Sequence, residues 1–297
     1  MRILVTGRAG QLAASLAHQA VKRPEIELIT LGRPELDLEQ PAVAIELIKS
    51  WRPDVVVNAA AYTAVDKAEA EPHRAFAVNR DGAAAAARAA AQLDVPFVHI
   101  STDYVFNGRK PTPYVELDET GPLNVYGRSK LEGERAVLAA HPRALILRTS
   151  WVFSPFGSNF LKTMLKVGAE RPALRVVSDQ FGNPTSAFDL AATILEIAPA
   201  LPGKPGGLYH LTGEGSTSWH GFASFIFQES AKRGGPAPAL EAIASADYKA
   251  AAIRPANSRL DCTAFGSRFG VKLRPWTEAA AETVESCLSS QRATGKF

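Results

Sequence analysis

Met1-Arg2-Ile3-Leu4-Val5-Thr6-Gly7-Arg8-Ala9-Gly10-Gln11-Leu12-Ala13 opens the chain, and its reading decides the fold. Residues 2–6 are an apolar run with the character of a buried strand, and from Gln11 to position 21 the apolar spacing becomes helical. Between the two, Gly7 and Gly10 permit a tight turn and let an anion approach the backbone. The helix start adds free N–H groups and the positive end of its dipole. Ala13, third in the motif, is small enough for close helix–strand packing. Strand, glycine turn and helix in this order form a cradle for a pyrophosphate.

The same alternation continues outward. Strands are predicted at 26–31, 54–58, 96–101 and 144–149, and helices at 42–50, 75–93 (Ala-rich) and 126–140. Continuous apolar strands separated by helices indicate a parallel sheet covered on both faces. Right-handed crossovers then make it an α/β, doubly wound parallel sheet of the Rossmann type. Past residue 150 the rhythm loosens, with Gly and Pro clustered at 154–157, 179–184, 202–207 and 234–238. Short helices are predicted at 158–168, 187–197, 219–231 and 276–288, and the polar residues 289–297 are expected to fray. The expected division is a dinucleotide-binding domain over 1–150, rejoined by part of 174–200, and a smaller C-terminal, mainly substrate-binding domain over 151–297.

Composition narrows the function classes. Of 297 residues, 46% are hydrophobic and 21% charged, ordinary for a globular chain with a full core. The formal charge of +3 is spread without a basic run, so nucleic acid is not an expected partner. No apolar stretch reaches the ~20 residues of a membrane span. Cys262 and Cys287 stand alone, without CxxC or nearby His, so neither a disulfide framework nor a metal site is expected. With no signal-peptide layout at the start, the expected location is cytoplasmic.

The second strand runs into Leu31-Gly32-Arg33 without the acidic residue that usually holds an NAD ribose. A guanidinium suits a 2′-phosphate instead, so NADPH is expected, with NADH as the alternative because Asp37 can reach the adenine or ribose. Leu38 falls in the same cofactor-side segment. Tyr126 and Lys130 are four residues apart at a helix start, which places both on one face. A phenol titrating near 10 is a poor acid–base group at neutral pH, and a neighbouring cation lowers that value. Thr102 closes the strand before, where the carboxyl ends of parallel strands face the ligand crevice. Its hydroxyl can hold a substrate carbonyl oxygen. Asn79 and Gly82 mark a kink or an ordered water within the Ala-rich helix.

Together these residues resemble the extended short-chain dehydrogenase/reductase family, in particular its branch acting on dTDP-linked keto-deoxysugars. The resemblance covers nearly the whole chain, in blocks at 6–12, 52–69, 101–106, 122–134, 147–153, 159–160, 179–185, 207–215 and 254–261. It implies NADPH-dependent reduction of a C4 keto group, of the kind that converts dTDP-4-dehydro-L-rhamnose to dTDP-L-rhamnose. Thr102, Tyr126 and Lys130 would be the catalytic trio. Gly7, Gly10, Gln11 and Leu12 would form the cofactor loop, with Ala59, Ala60, Ala61 and Tyr62 on the nicotinamide side. Asp103, Tyr104, Trp151, Asn159 and Trp219 would face the sugar, and Arg259 the diphosphate. Ser15 stands where some family members place an acidic residue of an interfacial metal site, so a monomer or weak homodimer is expected. Two other readings stay open here: a sugar-nucleotide epimerase or dehydratase, and a non-catalytic dinucleotide-binding regulatory subunit.

Overall fold

The computed structural model describes residues 1–294. Five strands of the first half, β1 (Arg2–Thr6), β2 (Glu27–Leu31), β3 (Val55–Asn58), β4 (Phe97–Thr102) and β5 (Leu145–Thr149), join a sixth, Gly207–His210, in one sheet. Its order is Gly207–His210, β5, β4, β3, β1, β2, and every neighbouring pair is parallel. The order reverses between β1 and β3, the switch point at which doubly wound sheets open a ligand crevice beyond their carboxyl ends.

The period-2 alternation of the strands divides the core between two faces. Ile3, Val5, Val55, Val57, Val98, Leu145 and Leu147 pack with Leu12, Ala13 and Leu16 of α1 (Gln11–Ala20). Leu4, Val56, Phe97 and Ile146 turn the other way, onto Ala44 and Ile48 of α2 (Pro41–Ser50) and onto the alanines of the helix Ala83–Gln92. Those alanines lie flat on the sheet and bring the helix close.

Four features differ from the sequence reading. The Ala-rich segment 75–93 is not one regular helix: Ala77–Gly82 is a π-helical turn between α-helices Pro72–Phe76 and Ala83–Gln92. Within 174–200 it is the helix Ala187–Ile197 that returns, packing its Leu190, Ala191 and Ile194 onto the α1 face. The strand Ala173–Val177 lies outside the main sheet and pairs with Ala239–Ile243. The sixth strand of the main sheet, Gly207–His210, is short and half-buried, so it lacks the apolar run that marks the others. The C-terminal helix extends over Trp276–Thr294, so 289–294 is helical, and 295–297 lie outside the described residues.

A second core joins Phe153, Leu161, Leu165, Phe222, Ile226, Trp276, Ala280 and Val284. It ties the helices Phe160–Glu170 and Trp219–Lys232 to the C-terminal helix. This lobe stands over the carboxyl ends of the strands, because its first strand, Val152–Phe153, follows directly from β5.

Candidate active site

Gly7 leaves β1 at φ +103°, a conformation that L side chains rarely adopt, while a Cβ there would meet Ala60 N only at ordinary contact distance, 3.4 Å. The turn reaches Gly10, the N-cap of α1, which provides no side-chain cap. A Cβ built on Gly10 meets nothing within 4 Å. An uncapped helix end beside open space is what an anion needs. Arg8 lies against Gly32, and both Arg8 and the exposed Arg33 stand at the end of β2. Their acidic partners are Glu35 at 3.1 Å from Arg8 and Glu39 at 3.9 Å from Arg33. The donor set fits a dinucleotide carrying an additional phosphate. Asp37 accepts the Glu39 N–H at 3.0 Å, and Leu38 is buried against Gly82.

The loop Ala59–Tyr62 extends from β3 and is held by the π turn. Asn79 accepts the Tyr62 N–H at 2.8 Å, then donates to the Tyr62 carbonyl at 3.0 Å and to Ser129 Oγ at 2.9 Å. Ser129 donates in turn to the Tyr126 carbonyl. The irregular turn thus clamps the loop to the helix that carries Tyr126, a role for the kink that Asn79 and Gly82 signalled.

That helix, Val125–Ala140, is capped by Asn124, whose Oδ1 accepts the Gly127 N–H at 2.7 Å. Gly127 is required by close approach: a Cβ there would run into the Tyr104 carbonyl oxygen. The helix therefore lies directly on the turn Asp103–Val105 that ends β4. Thr102, Asp103, Tyr104 and Tyr126 meet as a result. Thr102 Oγ1 donates to Asp103 Oδ1 at 3.0 Å and accepts the Tyr104 N–H at 3.2 Å. The rings of Tyr104 and Tyr126 cross edge to face at 5.8 Å.

Electrostatics here depart from expectation. Burial pushes the Tyr126 phenol up to about 12, against the pull of a hydrogen bond with Thr102. No lowering by Lys130 is present, because Lys130 Nζ turns away. It donates to the Ile100 carbonyl at 2.6 Å and lies 3.4 Å from His99 Nε2. Burial brings Lys130 down to about 8, with Glu134 opposing the shift. Burial also lifts Asp103 to about 7, and its Oδ2 has no hydrogen-bond partner.

The expected sugar-facing residues divide. Trp151 and Trp219 stack at 3.5 Å with planes 7° apart, and Trp151 is held at φ +45°, which is costly for a bulky residue. They form a rigid aromatic wall. Asn159 instead caps the helix Phe160–Glu170 and donates to Gln11 Oε1 at 2.8 Å, while Gln11 Nε2 reaches the Val152 carbonyl. Both side chains fasten the phosphate loop to the second lobe. Arg259 donates to Asn257 Oδ1 and to the Pro111 carbonyl, so its guanidinium is engaged with its own chain. Sequence reasoning missed Arg254, which pairs with Asp66 at 2.6 Å between the RPANSRLD block and the helix after Tyr62. It also missed the buried pair Glu134–Arg148, with Ser101 donating to the same carboxylate at 2.5 Å. A charged residue inside an otherwise apolar strand, as Arg148 is in β5, was the available signal. Among the described residues, no three His, Cys, Asp or Glu are grouped to hold a metal ion, and no helix is long and apolar enough to cross a membrane.

Comparisons with known proteins cover almost the same span. The model of the RmlD substrate binding domain family matches residues 1–289. A dTDP-4-dehydrorhamnose reductase of Sinorhizobium fredii is 48% identical over 292 residues, covering 97% of this chain and 98% of the relative. A crystal structure of a dTDP-4-dehydrorhamnose reductase from Clostridium acetobutylicum superposes with a TM-score of 0.91 at 35% identity, covering 97% of this chain and all of that one. Another from Bacillus anthracis, in complex with NADP, gives 0.89 at 32% identity over 96% of this chain and 99% of its own.

Proposed function

The chain belongs to the RmlD substrate binding domain family, and from that premise we propose that it is a dTDP-4-dehydrorhamnose reductase. It uses NADPH to reduce the C4 keto group of dTDP-4-dehydro-L-rhamnose, giving dTDP-L-rhamnose. The observation that carries the reading is the meeting of Thr102 and a protonated Tyr126 at the carboxyl end of β4, in the same parallel sheet whose β1 ends in the phosphate loop.

Gly7, Gly10 and the first turn of α1 hold the pyrophosphate, Arg8 and Arg33 the 2′-phosphate, and Ala59–Tyr62 line the nicotinamide side. The cofactor, when bound, supplies the hydride. Thr102 presents its hydroxyl to the C4 carbonyl oxygen and stabilises the charge that develops there. Tyr126, held near 12, keeps its proton at neutral pH and releases it only to a stronger base, the forming alkoxide. Lys130, one helical turn on, is the third member of the trio: a buried amine held on the Ile100 carbonyl, whose proton equilibrium burial brings down to about 8. Asp103 and Tyr104 meet the sugar hydroxyls. The chain from 1 to 150, with the helix Ala187–Ile197 and the strand Gly207–His210, acts as the dinucleotide-binding domain, and the remainder as the substrate domain. The same reading has it working in the cytoplasm as a monomer or weak homodimer. The test is absorbance of the reduced nicotinamide with dTDP-4-dehydro-L-rhamnose. Oxidation of NADPH faster than of NADH is expected, and no oxidation of either would reject the assignment.

A further inference from the structure

A line of buried polar side chains crosses three strands of the sheet and ends at Lys130. Thr6 Oγ1, on β1, donates to Asn58 Oδ1, on β3, at 2.5 Å. Asn58 Nδ2 lies 2.9 Å from His99 Nδ1, on β4, and His99 Nε2 lies 3.4 Å from Lys130 Nζ. The four residues are 0%, 1%, 0% and 2% exposed. Burying such groups is costly unless each is paired, so their joint presence calls for a purpose beyond packing.

The pairing fixes proton positions. Thr6 Oγ1 already accepts the Ala60 N–H at 3.4 Å, so its own hydrogen is free to go to Asn58 Oδ1. The Asn58 amide group then faces His99 and donates to Nδ1. A neutral imidazole that accepts at Nδ1 carries its hydrogen on Nε2. That N–H points at Lys130 Nζ, where it can donate to an amine and opposes an ammonium. The other contact of Nζ, the Ile100 carbonyl, serves either form.

We propose that His99 is a positioning residue for Lys130, locked by Thr6 and Asn58 in the tautomer that directs an N–H at Nζ and weakens the hold of Lys130 on its proton. The hydrogen-bonded line starts at Thr6, immediately before the phosphate loop, so the state of the loop and that of the lysine are joined through it. Burial holds His99 well below its ordinary value and brings Lys130 to about 8, both in the sense this arrangement requires. The other ionisable groups around the pair are Tyr126 and Glu134 on the helix of Lys130, with Glu134 neutralised by Arg148 of β5. The catalytic meaning rests on the role given to Lys130 above, but the proton equilibrium does not.

The experiment is NMR on the full chain without substrate, so its failure is distinct from failure of the reductase reading. In protein labelled with 15N-histidine, His99 is expected to show the Nε2–H tautomer throughout neutral pH. The Nδ1–H tautomer, or a charged ring, would overturn the proposal without any variant. Next, Lys130 is titrated through its 13Cε shift, assigned with Lys130→Met, in the wild type, Asn58→Leu and Asn58→Asp. Either substitution frees Nε2 to accept, and the Lys130 midpoint should rise by about one pH unit, the worth of one hydrogen bond. An unmoved midpoint in folded Asn58→Leu, whose change adds no charge, would overturn it.

Discussion

Removing the carboxylate of Glu134 should destabilise the fold more than any other single change near the site. Glu134 and Arg148 are 3% and 4% exposed. The carboxylate accepts from Arg148 Nε at 2.8 Å and Nη2 at 2.7 Å, and from Ser101 Oγ at 2.5 Å. Arg148 Nη1 is already without a partner. In Glu134→Leu the guanidinium would be stranded in the core over the Phe106 ring, 5.0 Å below it. Breaking a buried pair from one side costs about 3–5 kcal/mol. For a chain of 297 residues, with an unfolding entropy of about 2.1 cal/mol/K per residue, that lowers Tm by roughly 5–8 °C. Replacing both partners, Glu134→Leu with Arg148→Met, removes the stranded charge and should recover most of the loss. The Ser101 hydroxyl stays unpaired at about 1–2 kcal/mol. Thermal unfolding of the four proteins, analysed as a double-mutant cycle, reads the coupling directly. A single variant costing under about 1 kcal/mol, or a double variant no better than the single, would refute the reasoning.

Three further outcomes follow from the site. Gly127→Ala places a methyl against the Tyr104 carbonyl and should cost about 1–3 kcal/mol while lowering turnover, because the helix must lift from the β4 turn. Stability or turnover equal to wild type would show that the helix has room. Thr102→Val should lower kcat about 10²–10³-fold with NADPH affinity unchanged, as measured by steady-state kinetics and cofactor titration. Asp103 is held at about 7 by burial, whereas an unfolded carboxyl titrates near 3.9. Between those values the folded state keeps a proton that the unfolded state releases. The contribution is therefore full below about pH 4 and is lost as pH rises through 7. Urea denaturation should show the wild type losing more stability than Asp103→Asn between about pH 5 and pH 8, and equal losses would contradict this.

How much could be read beforehand depended on what each residue faces. Strands β1, β3, β4 and β5 are buried almost throughout, so their apolar runs were unmistakable, and β2, at the sheet edge with only Leu31 buried, was still legible from its apolar run. Gly207–His210 is an edge strand with a half-buried face, and nothing in Gly-Leu-Tyr-His announces it. Position along the chain was also legible for Thr102, Tyr126 and Lys130, because strand ends and helix spacing fix Cα atoms. Side-chain direction was not. Lys130 turns to the Ile100 carbonyl, Gln11 and Asn159 turn to each other, and Arg259 turns to Pro111, each for a backbone or amide partner brought in from a distant segment. The line from Thr6 to His99 was invisible for the same reason. Its members are spread over three strands, and only the parallel register of β1, β3 and β4 aligns them.

The central claim is that Tyr126 gives its proton to the alkoxide at C4, and Tyr126→Phe tests it most directly. The assay is NADPH oxidation at saturating dTDP-4-dehydro-L-rhamnose, with cofactor affinity measured separately by nicotinamide fluorescence. The expected result is a fall in kcat of about 10²–10⁴-fold with the NADPH Kd within about threefold of wild type. Turnover near the wild-type rate would contradict the assignment.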